Sequence, residues 1–172
     1  LNRKSLIIVS SIIIMIGFFI INSSLKYLYN PFTYPDGLIS EYDDYSYRTF
    51  KKPIVLIIRK FDLTEDETTL YSVKDIDTVK NILEQFDNAE KLSSVDHYPF
   101  ESREEAGARY DVSVLQRDKG HLIPFSFFEN SHMFDLSPTL YYKLDENFKE
   151  DLLNIASKKN KVEVETLNEL FN

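Results

Sequence analysis

Residues 110–127, YDVSVLQRDKGHLIPFSF, decide the fold. Tyr110, Val112, Val114 and Gln116 alternate with Asp111, Ser113, Leu115 and Arg117, the period-two pattern of a strand with two unlike faces. Asp118, Lys119 and Gly120 then signal a turn, because glycine takes a positive φ at no steric cost. Residues 121–127 return as the partner strand. Pro124 has no N–H to give to a ladder, which assigns it to a sheet edge or a bulge.

The rest of the domain is built outward from this hairpin. Upstream, the β-branched run 54–58 reads as a central strand that continues to Phe61. Residues 62–67 form a polar turn, and 68–73 form a second, short strand. Asp75 is placed to cap a helix whose apolar residues Ile76, Val79, Ile82, Leu83 and Phe86 share one face. Asp77 lies in its first turn, where a carboxylate complements the helix dipole. The helix should end between residues 86 and 92. Residues 93–109 are polar, contain Pro99 and Gly107, and read as a long irregular loop.

Downstream, 139–144 reads as a strand and Asp145 as the cap of a second helix with Phe148, Leu152 and Ile155 inward. Lys158 and Lys159 would close it, and 162–171 is either an extended tail or a short helix. The expected class is α+β: an N-terminal transmembrane helix, then a small, mainly antiparallel sheet with two helices packed on one face.

Composition sets the surroundings of this domain. The chain has 172 residues, 20 Lys+Arg against 28 Asp+Glu, and no cysteine. The last fact excludes disulfide scaffolds, thiolate metal sites and a catalytic thiol. Arg3, Lys4 and Lys26 are the charges of 1–26, so 27–172 carries a net charge of −11. That balance argues against nucleic acid as a partner. Residues 5–25 are uncharged, and as a helix they rise about 31 Å, close to the thickness of a bilayer's hydrocarbon core. Residues 1–26 are therefore assigned as an anchor, with Ile12, Ile13, Ile14, Ile16, Phe18, Phe19 and Ile20 in the lipid. Arg3 and Lys4 place the N-terminus in the cytoplasm and the following domain outside. A cleaved signal peptide is the competing reading and would make the protein secreted. No small-x-small cleavage site stands at Ser23 or Ser24.

Residues 27–50 form an aromatic juxtamembrane linker. Tyr27, Tyr29, Phe32 and Tyr34 suit an interfacial belt, since a tyrosine ring has an apolar body and a wet hydroxyl. Residues 51–172 are the extracytoplasmic domain. The order of its elements, together with the phrases Tyr110–Val114, Asp118–Gly120 and 141–148 (YYKLDENF), resembles the YhfM-like small envelope proteins of Gram-positive bacteria. The resemblance covers roughly residues 54–157 and rests on structural motifs. It implies an envelope location and brings no catalytic residue. The longer loop 93–109 departs from that pattern.

No strong chemical motif appears. His121, Glu129, His132 and Asp135 are candidates for a metal site, but Glu-x2-His-x2-Asp is not a zinc spacing, and a solvated loop explains them better. Asp96 and His97 resemble part of an acid–base pair with no evident nucleophile to activate. Asp62, Glu65, Asp66 and Glu67 lack the alternation of a calcium loop. No cofactor is expected. The favoured function is a non-enzymatic, membrane-anchored binding domain whose acidic surface attracts a basic protein or peptide, met at an edge strand near Pro124 or at the aromatic stretch. An immunity-type protein neutralising a basic toxin is one form of this. The alternative is a hydrolase with a His/carboxylate site drawn from His97, Glu129, His132 and Asp135.

Overall fold

A computed structural model of the chain describes residues 2–35, 42, 44–92, 100–164 and 166–171. The chain divides into two units, Leu1–Lys52 and Pro53–Asn172.

In the first unit, helix α1 (Arg3–Lys26) contains a 22-residue stretch, Ser5–Lys26, with an 18-residue window of mean hydropathy 2.5. None of its apolar window is buried in protein. Such a helix keeps its backbone bonded internally and offers hydrocarbon on every side, which fits a membrane anchor or a signal sequence. The chain then doubles back. Leu28 N–H donates to Phe50 O at 2.8 Å and Lys52 N–H to Lys26 O at 2.9 Å, around a bridge between Tyr27 and Lys51. The Lys52 ammonium donates to Ser24 O, placing a cation at the helix C-terminus where the dipole favours one.

Within this loop the aromatics pack on one another. Tyr29 meets Tyr34 and Phe50 edge-on, each with ring centres 5.7 Å apart, and Tyr27 meets Tyr47 at 5.5 Å. The Asn30 carboxamide oxygen accepts from Phe32 N–H, a local turn that leaves the Phe32 ring 71% exposed. Among the four aromatics assigned to a belt, Tyr29 is thus buried and Phe32 is the most outward.

The second unit is a seven-stranded antiparallel sheet: β1 (Ile54–Asp62), β2 (Glu67–Val73), β3 (Arg109–Gln116), β4 (Gly120–Phe128), β5 (Met133–Ser137), β6 (Leu140–Lys143) and β7 (Lys161–Val162). The spatial order is β6-β5-β4-β3-β1-β2-β7. Helices α2 (Ile76–Asp87) and α4 (Glu146–Ile155) pack together, with the Asn81 and Gln85 amides both donating to the Asp151 carboxylate at 3.1 and 2.7 Å. A four-residue helical turn, α3 (Arg103–Ala106), interrupts the stretch read as a loop. Residues 93–99 of that stretch lie outside the described residues. The α+β class holds, and Asp75 and Asp145 cap their helices by accepting from Thr78 N–H and Phe148 N–H. The Thr78 hydroxyl and backbone N–H hold the Asp75 carboxyl below the usual carboxylate range.

Strand registers sort the side chains into two faces. Leu56, Ile58, Val112, Val114, Phe125, Phe127, Phe134 and Tyr142 occupy one. They are buried, as are Val79, Ile82, Leu83 and Phe86 of α2 and Phe148, Leu152 and Ile155 of α4. Aromatic contacts join helix to sheet: Phe86 lies 5.2 Å from Phe125 and 5.5 Å from Phe134. On the other face, Val55, Ile57 and Leu115 are covered by Leu170, with Leu70, Val162, Val164, Leu167 and Phe171 around them. Of the stretch read as an extended tail or a short helix, Val162 pairs in β7 and Leu167–Phe171 forms a 3-10 turn.

One sequence expectation changes and another is narrowed. Residues 129–135 are not a loop throughout, because Met133–Ser137 is a strand paired on both sides. β4 as a whole is not an edge strand, because it lies between β3 and β5, but β5 pairs with it only at Ser126 and Phe127, and Pro124 sits at a bulge on the length that β5 leaves unpaired, one of the two places expected for it. There Ile123 and Pro124 together oppose Ser113, and buried Ile123 takes a φ of +49°. The bulge absorbs the missing N–H of Pro124 inside the sheet.

Gly107 has φ +69° and ψ −158°, a region only glycine occupies readily. A Cβ there would lie 2.9 Å from Glu129 Cβ. We expect Gly107→Ala to lower stability by about 2 kcal/mol, read as a shifted midpoint in chemical denaturation.

Candidate functional site

The sheet face away from the helices is polar beyond the apolar cover supplied by Leu170. One row runs across four strands by register: Arg59, Asp111, Ser126 and Asp135. Next to it lie Ile57 and Ser113, paired across β1 and β3. These rows and the β4 bulge enclose an open groove of about 220 Å³, lined by Arg59, Ser113, His121, Pro124 and Asp135 among others. The groove exists because β5 pairs with β4 only at Ser126 and Phe127, so no strand of the sheet flanks the bulge on that side.

Two polar pairings organise its walls. Asp111 accepts from Arg109 Nε at 2.9 Å and from the Ser126 hydroxyl at 2.8 Å, while Arg109 also donates to Ser126 at 3.2 Å. This triangle matches the Asp111 charge within the sheet surface. On the other side the Ser113 hydroxyl and His121 Nδ1 are 2.8 Å apart, with Ser113 buried. Burial, and after it the nearby Arg59 guanidinium, hold the His121 imidazole below its ordinary pKa. In the tautomer in which Ser113 donates to Nδ1, His121 carries its ring N–H on Nε2. Arg59 is half-buried and has no carboxylate within 4.0 Å among the described residues.

The four residues considered for a metal do not gather. His121 and Asp135 line the groove. Glu129 instead accepts from Ala108 N–H at 3.2 Å, and His132 Nδ1 lies 3.0 Å from Glu146 on a well-exposed surface, where an ion pair contributes little. Among the described residues, no group of three or more His, Asp or Glu is placed to hold a metal ion. Asp96 and His97 lie outside the described residues. The acidic turn after β1 closes on itself: Asp62 accepts from the Thr64 hydroxyl and from the Thr64 and Glu65 N–H groups, which hold its carboxyl below the usual range.

Arg59 and Ser113 were absent from the candidates read in the sequence, although one signal pointed to them. The hairpin alternation puts Ser113 opposite the apolar face of β3. The same alternation continued along the run 54–61 makes Arg59 the first charged residue of that face.

Comparison with protein-family models, with curated proteins and with solved structures finds no match for this chain.

Proposed function

We propose that the protein is a single-pass membrane protein whose acidic domain, outside the cytoplasm, binds a basic protein or peptide. The observation that carries the membrane half is the 18-residue apolar window of α1, none of it buried in protein. Arg3 ahead of it supports a cytoplasmic N-terminus. The net charge of −11 over residues 27–172 supports a basic partner, because like-charged molecules are repelled and opposite ones are steered in. The envelope location implied by the resemblance to the YhfM-like proteins agrees with this reading.

The Ser113–His121 contact favours a second reading, a hydrolase, since a serine beside an imidazole is a common nucleophile pair. Its surroundings oppose that chemistry. A base that activates serine must become an imidazolium, which a neighbouring carboxylate stabilises. Here the neighbouring charge is Arg59, and together with burial it disfavours the protonated ring. The pair therefore serves as a hydrogen-bonding wall.

The absence of cysteine allows a direct topology test. In intact bacterial cells, a membrane-impermeant maleimide should label Glu150→Cys in the membrane fraction. Asn2→Cys should react only after lysis. Labelling of the two in the opposite order overturns the topology. A labelled domain shed into the medium assigns α1 to a signal sequence.

A further inference from the structure

We infer that the groove on the open sheet face captures a carboxylate, the free C-terminus of a basic peptide. The inference rests on the binding function proposed above and specifies its ligand. Two donors line the groove, the Arg59 guanidinium and His121, while the Ser113 hydroxyl is engaged with the imidazole ring. A guanidinium presents a planar fork of N–H groups that matches two carboxylate oxygens. Arg59 has no such partner among the described residues, although its cross-strand neighbour is Asp111. That aspartate is held by Arg109 and Ser126 instead, which leaves the Arg59 fork for a ligand.

In the tautomer in which Ser113 donates to Nδ1, His121 presents a ring N–H at Nε2 to the ligand. The volume, about 220 Å³, suits the last residue or two of a peptide rather than a folded surface. The opposite end of the row is acidic. Asp135 stands three strands from Arg59, about 14 Å along the sheet at the usual strand spacing. It opposes a second negative group and favours amide or ammonium donors upstream of the captured terminus. The acidic field of the domain adds the same preference for a cationic peptide body.

The test uses the full chain in detergent micelles, with backbone and imidazole resonances of Ser113 and His121 followed during titration. The probes are lysyl-lysyl-alanine, its C-terminal amide, and propionate. The free tripeptide should shift both residues saturably, and amidation should remove the effect. Arg59→Gln should weaken binding at least about tenfold. Arg59→Lys, which retains the charge without the fork, should recover only part of it. Saturation by propionate as tight as by the tripeptide overturns the peptide as the occupant and assigns the groove to a free acid. Equal binding of the amide, unchanged binding by Arg59→Gln with native resonances elsewhere, or no shift with any probe overturns the inference. A chain that stays in the membrane yet fails here loses only its ligand assignment, because the labelling experiment reads the topology independently.

Discussion

Phe134→Ala is expected to cost about 4 kcal/mol of folding free energy, near the whole stability of a small domain. The side chain is fully buried in β5. Its ring lies 5.1 Å from Phe125, 5.5 Å from Phe86, 5.9 Å from Phe148 and 5.4 Å from Tyr142, so it touches both helices and both neighbouring strands. Truncation removes the transfer free energy of a phenyl group and leaves a cavity that rings held from four directions close poorly. Edge-to-face contact with Phe148 and stacking on Tyr142 are lost as well. Denaturation of the detergent-solubilised chain, followed by tyrosine fluorescence, measures it. A loss below about 1 kcal/mol would show that β5 is not part of the core.

The second large effect concerns α1. Ile14 lies in the middle of the apolar stretch and is 71% exposed to its surroundings. An aspartate at the centre of a membrane-spanning helix costs about 3 kcal/mol of insertion free energy, roughly a hundredfold in partition. Ile14→Asp should therefore move the chain from the carbonate-resistant membrane fraction to soluble or aggregated material. Ile14→Leu should behave as the parent does. Retention of Ile14→Asp at the parental level would remove the helix from the hydrocarbon.

Much of the domain was legible because its elements follow simple periodicities. The β3–β4 hairpin alternates with period two, Gly120 takes φ +76° in its turn, and both helices carry a capping aspartate ahead of an apolar face. β5 escaped for a physical reason. It is five residues long, only Phe134 is fully buried, and Met133, Asp135 and Ser137 are mixed in character, so period and propensity say little. Its burial comes from partners distant in sequence. Pro124 shows a similar limit. Sequence narrows a proline in a strand to an edge or a bulge, and only the register of β4 against β3 reveals the bulge. The groove was least visible. Ser113 and His121 share one hairpin, but Arg59 lies more than fifty residues upstream, and only the pairing of β1 with β3 brings it to the same face beside them.

The cover over Val55, Ile57 and Leu115 has a biosynthetic consequence. A chain leaving a ribosome or a translocon emerges in order, and β1, β3 and their hairpin partners come out well before Leu170. Until that leucine arrives, one side of a nearly complete sheet presents bare valine, isoleucine and leucine to whatever is nearby. The fold is thus most prone to aggregate late in its own synthesis, and the segment that ends this exposure is a short 3-10 turn with little structure of its own.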